Sequence, residues 1–85
     1  MRLHRTVRAN ELIAAERREQ DAQFGDQSGH SDEVWLAILM EEVGELSQVI
    51  LHRRFGGHHD SDDRFEEELA QVAAVATAWL EGRVR

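Results

Sequence analysis

Five side chains have the types and the spacing of a hard-cation site. Glu41, Glu42 and Glu45 share one short segment, and Glu68 and Gln71 lie at i and i+3 on another, with 22 residues between Glu45 and Glu68. At about 100° of rotation per residue, the first segment carries an apolar stripe of Leu36, Leu39, Val43, Leu46 and Ile50, widened on one side by Trp35, Ile38 and Val49. Glu42 falls on the widened side, with Ile38 and Leu46 one turn away. Glu45 sits at its border, and Glu41 lies further out, in line with Gln48 and His52. On the second segment the stripe reads Phe65, Leu69, Val72, Ala76, Trp79 and Leu80, with Val75 at one edge. Glu68 lies on it, Gln71 is one turn away towards the border, and Glu66 and Glu67 point outwards. Glu42, Glu45 and Glu68 are therefore expected to face the helix interface. A carboxylate there must be protonated, paired with a cation or bound to a metal. Converging carboxylates raise one another's pKa values, and all-oxygen ligands favour Mg²⁺ or Mn²⁺. The competing reading is a solvated acidic face, or a salt-bridge network with Arg53, Arg54 or the arginines nearer the amino terminus.

These positions require helices to hold them. There is no proline, and Gly25, Gly29, Gly56 and Gly57 cluster in two loops, roughly Phe24 to His30 and Phe55 to Asp60. Between and around them the pattern predicts helices over about Thr6 to Gln23, Asp32 to Arg54 and Asp62 to Glu81. Ser31 is a plausible N-cap for the second, with Asp32 and Glu33 at the positive end of its dipole, and Asp60 or Ser61 for the third. Gly44 lies inside the second helix, where it is expected to permit close helix contact, and Gly82 is a candidate stop signal. No segment alternates with period two over a strand's length. The expected fold is all-α, one domain over residues 1–85: a helical hairpin plus an N-terminal helix, assembling into a dimeric or tetrameric helix bundle.

Composition sets the outer bounds. The 85 residues carry 10 arginines, no lysine and 17 acids, for a net charge of −7. That balance argues against binding a nucleic-acid polymer. With no cysteine, disulfides cannot supplement a core this small, which favours oligomerisation. No run reaches the ~18–20 apolar residues of a membrane span, and Arg2, Arg5 and Arg8 lead into no apolar core of a secretory signal. The expectation is a cytoplasmic protein with no membrane attachment.

Glu41-Glu42-Val43-Gly44-Glu45-Leu46 matches an E-E-x-x-E helix, and Glu68-Leu69-Ala70-Gln71 stands where an E-x-x-D would follow. With Ile38-Leu39-Met40 before the first motif and the apolar run from Val72 to Leu80 after the second, the chain resembles the MazG-like branch of the all-α nucleoside triphosphate pyrophosphohydrolases over roughly residues 10 to 82. The segment from Glu16 to Gly25 adds to the likeness. The resemblance implies a homodimer or homotetramer that uses Mg²⁺, or Mn²⁺, to cleave an NTP or dNTP into monophosphate and pyrophosphate. It implies Glu42, Glu45, Glu68 and Gln71 as metal-site residues, and Glu41 with Glu42 as catalytic acids, Glu41 either standing behind the metal ligands or activating the attacking water. Gln71 departs from the motif's Asp: it offers a carbonyl oxygen and one negative charge fewer. The basic groups that many members draw from a further helix fall here to the partner subunit, or the set is incomplete. A catalytically inactive helical dimer serving as a binding or regulatory module is the alternative function, and a relative acting on phosphoribosyl-ATP a third.

Substrate contacts are expected from Gln20, Gln23 and Phe24 towards the base, with Trp35 and Trp79 as further aromatic candidates. Arg53 and Arg54, or Arg17 and Arg18, are the candidates to grip phosphates. His58, His59 and the neighbouring aspartates suggest loop and cap duty more than a zinc site.

Overall fold

The computed structural model describes residues 2–55 and 62–84. Three helices account for nearly all of them: α1 (Arg2–Phe24), α2 (Asp32–Phe55) and α3 (Asp62–Arg83). Among the described residues there is no strand, and no helix is long and apolar enough to cross a membrane. The Gly56–Gly57 loop, His58, His59 and the proposed caps Asp60 and Ser61 lie outside the described residues.

The helix ends follow local chemistry. Gly25 takes φ +72°, a left-handed conformation that glycine adopts without a Cβ clash. Its N–H donates to the Asp21 carbonyl at 2.9 Å and closes α1. The Asp26 carboxylate then accepts from the Ser28 N–H at 2.9 Å, shaping the loop. Ser31 caps α2 as expected, its Oγ accepting from the Val34 N–H at 3.2 Å. Asp32 and Glu33 in the first turn and His52, Arg53 and Arg54 in the last complement the dipole. α1 starts four residues before the expected Thr6, because the Thr6 hydroxyl is no cap: it donates back to the Arg2 carbonyl at 3.2 Å.

α3 is the central element. α1 and α2 each pack against it and not against each other, which leaves a cleft between them floored by α3. The buried residues are Trp35 and Val49 of α2 with Ala70, Ala74, Val75 and Ala78 of α3. The small side chains of Ala70, Ala74 and Ala78 recur every four residues and let both flanking helices approach closely. This corrects the expected stripes. On α2 the side of Trp35 and Val49 is the packed seam, whereas Leu36 is 50% and Ile50 43% exposed. On α3, Ala76 is exposed and Leu80 is 62% exposed. Covering α3 on two sides moves its buried arc away from its largest residues. Gly44 is also corrected: a Cβ there would meet nothing within 4 Å.

Polar ties close the ends of the bundle. Arg17 of α1 donates from Nη2 and Nε to Glu81 of α3 at 2.7 and 3.1 Å, and from Nη1 to Asp21 at 3.1 Å. At the start of α2, Asp32 accepts from Trp79 Nε1 at 2.8 Å and from Arg83 Nη1 at 3.1 and 3.2 Å. The Trp79 hydrogen bond and the Arg83 charge hold the Asp32 carboxyl below its usual range.

Candidate metal centre

Glu42 and Glu45 on α2 and Glu68 on α3 converge, with one carboxylate oxygen from each lying within 4.8 Å of the others. Local register explains the meeting. Glu42 shares the packed seam with Trp35 and Val49, Glu45 follows at i+3, and Glu68 lies on the arc of α3 that carries Val75. Each is held between the core and water: Glu42 and Glu68 are half-buried and Glu45 is exposed.

The electrostatics are those of an acid cluster short of positive charge. Burial raises the Glu42 carboxyl above its usual value, and Glu45, Glu68, Glu41 and Glu16 raise it further. Burial likewise raises Glu68, with Glu45 adding to it, while Arg64 one turn earlier draws it partly back. The approach of the Glu45 carboxyl to that of Glu68 adds to the rise at Glu68. With its amide nitrogen facing the acids, Gln71 donates from Nε2 to Glu42 Oε2 at 3.1 Å and to Glu68 Oε2 at 3.3 Å. The opposite orientation would set a carbonyl oxygen against carboxylate oxygens.

α1 adds a residue that the helical pattern did not single out. The Glu16 carboxyl is raised by burial, then by Glu19, Glu67 and Glu68, and it lies within hydrogen-bonding reach of Gln71. Its only sequence signal is its place in the segment from Glu16 to Gly25. α1 buries no residue fully, so its apolar pattern points weakly to one face.

The cluster borders the cleft, whose volume is about 700 Å³. Glu41, Glu42, Glu16 and Gln71 line one part of it, and Gln20, Gln23, Phe24 and Gln27 of α1 and the following loop line another, with Trp35, Ile38 and Val75 as apolar wall. The structure thus brings Glu41, Glu42, Gln71, Gln20, Gln23 and Phe24 to one cavity. It does not bring Arg53 and Arg54 there, and among the described residues no arginine or histidine lines the cleft. The Arg53 guanidinium lies 5.0 Å from the centre of the Phe65 ring, and Arg54 lies 5.7 Å from that of Phe55. Arg53 stands eight residues beyond Glu45 on α2, about 12 Å along the axis. Arg17 is committed to Glu81 and Asp21.

The donor set fits a divalent cation. Ligand oxygens on opposite sides of Mg²⁺ stand about 4.2 Å apart, given bonds of about 2.1 Å. The spacing of up to 4.8 Å therefore closes around the ion with side-chain adjustments alone. Three carboxylates leave other coordination positions for water or phosphate oxygens. No family model, no curated protein and no solved structure matches the chain.

Proposed function

We propose that the protein is a Mg²⁺- or Mn²⁺-dependent nucleoside triphosphate pyrophosphohydrolase that works as a homodimer or homotetramer. The observation that carries this reading is the convergence of Glu42, Glu45 and Glu68 from two helices, at the edge of a cleft of about 700 Å³ whose other part is aromatic and amide-lined. A nucleotide needs both halves. Its base suits Phe24 and the Trp35, Ile38 and Val75 wall, with Gln20, Gln23 and Gln27 offering donors and acceptors to the base edge. Its triphosphate needs positive charge, and the carboxylates can hold that charge as metal ions.

The metal, when bound, neutralises the phosphates and lowers the pKa of coordinated water. Glu42, Glu45 and Glu68 would hold that ion, and through it the otherwise repelled polyphosphate would be kept at the cleft's edge. Glu41 lines the cleft beside Glu42 and takes the proton of the attacking water. The water oxygen bonds to the α-phosphorus, the bond from that phosphorus to the bridging oxygen breaks, and pyrophosphate leaves with that oxygen. The assembly is supported by large apolar side chains left open on α2 and α3: Leu36, Met40, Ile50, Leu69 and Leu80 are 43–62% exposed.

The test is pyrophosphate release from a panel of NTPs and dNTPs with Mg²⁺ and with Mn²⁺, beside the Glu42→Gln and Glu68→Gln variants. Monophosphate formation by the wild type and its loss in both variants supports the reading. A wild type that releases no pyrophosphate while the ion binds supports the second reading, an inactive helical module. That reading is favoured by the neutral Gln71 and by the lack of arginine along the cleft.

A further inference from the structure

A second cavity, of about 460 Å³, opens between the amino-terminal halves of α1 and α3, a volume in the range of small-molecule sites. Ala9, Leu12 and Ile13 of α1 and Leu69, Ala70 and Ala73 of α3 make its walls apolar. Its charged and polar side chains are His4, Arg5 and Arg8 of α1 and the single acid Glu66 of α3. The two helices run in the same direction, since Arg17 meets Glu81 while residues 4–13 share this cavity with residues 66–73. The polar groups therefore gather at its amino-terminal end. Cations are out of place there. The first turn of α1 holds no acid, and the positive end of a helix dipole disfavours Arg2, His4 and Arg5. Among the described residues Arg5 has no ion-pair partner. Arg8 meets Glu11 at 3.4 Å, but the two side chains are 63% and 59% exposed, so water screens the pair. At i and i+3, Arg5 and Arg8 present two planar forks on one side of the helix, each suited to a carboxylate. From Arg5 to Ile13 α1 rises about 12 Å, the length of a medium acyl chain. A guest with one carboxylate and an apolar tail uses both features. A wholly apolar guest leaves the arginines unused, and inorganic phosphate leaves the walls unused.

We propose that this cavity binds a free medium-chain acyl carboxylate, its head at Arg5 and Arg8 and its tail along Leu12, Ile13, Leu69 and Ala73. The site shares no lining residue with the acidic cleft and does not depend on a metal there.

The test is calorimetric titration of the full chain with hexanoate, octanoate and decanoate, each below its micelle concentration, and with decyltrimethylammonium. NMR amide shifts on the ¹⁵N-labelled chain locate the binding. Affinity is expected to rise at least about threefold for every two methylenes, since full burial of one is worth about fourfold. The cationic amphiphile is expected to bind at least about tenfold more weakly than decanoate. Amide shifts are expected in residues 4–13 and 66–73. Replacing Arg5 and Arg8 together by glutamine is expected to weaken decanoate about tenfold, and Glu66→Gln to tighten it. Ala9→Glu, at an exposed position on the cavity wall, is expected to abolish binding while circular dichroism stays helical. Decanoate that does not bind, binds no better than hexanoate or the cation, or shifts amides elsewhere overturns the inference. So does unchanged affinity in the double arginine variant. Binding to anionic phospholipid vesicles with none to free decanoate also overturns it and makes this face a membrane contact. If the wild type ignores decanoate and Ala9→Glu turns an oligomer into a monomer in sedimentation, the groove belongs to a second copy and the inference falls. The wild-type series decides even where a variant is unstable.

Discussion

Burial comes first in raising the Glu42 carboxyl, and four neighbouring carboxylates add to it. Replacing it, or Glu68, with glutamine keeps the shape and removes the charge. Both variants are expected to lower turnover by at least about a hundredfold, since even outer-sphere metal partners are worth 10–100-fold. Both are also expected to melt at a higher temperature than the wild type when no divalent ion is present, by thermal scans in chelator. The pH dependence follows from the same groups. Folding raises the carboxyls of Glu16, Glu42 and Glu68 above the ordinary value of 4.5, so the folded state holds these protons more tightly than the unfolded chain. Their contribution is full below about pH 4.5 and is lost as the pH rises through the raised values. The melting temperature of the ion-free protein is therefore expected to fall from pH 4.5 towards neutrality. Mg²⁺ should restore it at neutral pH, and Glu42→Gln should flatten the decline. Asp32 works in the other direction at lower pH: its carboxyl is held below 3.8, so its contribution is lost as acid protonates it.

Among the helices, α1 is the one most weakly held, because it buries no residue completely, whereas α2 buries Trp35 and Val49. Arg17 ties it to Glu81 with a charged hydrogen bond of 2.7 Å. The Arg17 side chain is 19% exposed and Glu81 is 57% exposed, so solvent screens the pair and Arg17→Ala is expected to cost about 1 kcal/mol. The more telling readout is amide hydrogen exchange, which should quicken along α1 more than along α2. Since α1 supplies Glu16, Gln20, Gln23 and Phe24 to the cleft, the same variant should raise KM for a nucleotide more than it lowers kcat. α2 depends on its cap. Ser31→Ala removes the hydroxyl that accepts from Val34 at 3.2 Å and is expected to cost about 1 kcal/mol in denaturant unfolding, with fraying at the Trp35 end of the cleft.

For the molecule as a whole, the small core and the open apolar face belong together. Among the described residues, Trp35, Val49, Val75 and three alanines are the buried hydrophobic ones, a modest core. On α2, Leu36, Met40, Val43 and Ile50 recur at spacings of three, four and seven and lie on one side of the helix. Sedimentation equilibrium should give a dimer or tetramer. Met40→Glu, at a position 52% exposed in the single chain, should shift it to monomer while leaving the α2–α3 seam intact. A wild type that sediments as a monomer removes the oligomer from the proposal.

Much of this molecule was legible before any packing was known. Local rules set the three helices, the loop that Gly25 opens and the Ser31 cap, because a backbone hydrogen-bond pattern and a cap depend on a few neighbouring residues, whereas Gly82 did not stop α3, which runs on to Arg83. Helical periodicity turned Glu42, Glu45 and Glu68 towards the interface, since residues on one face of a helix stay together whatever covers them. Periodicity does not say which neighbour does the covering. α3 has helices on two sides, so alanines rather than Leu69 and Leu80 became its buried arc, and on α2 Trp35 and Val49 displaced Leu36 and Ile50. Glu16 entered the site because α1 lies along α3, and that contact joins residues more than fifty positions apart in the chain. Arg53 and Arg54 stayed out of the cleft for the converse reason: proximity in sequence to an acidic motif is not proximity along a helix axis that rises about 1.5 Å per residue. The Gln71 amide faces Glu42 and Glu68, two carboxylates that meet only where α2 packs on α3.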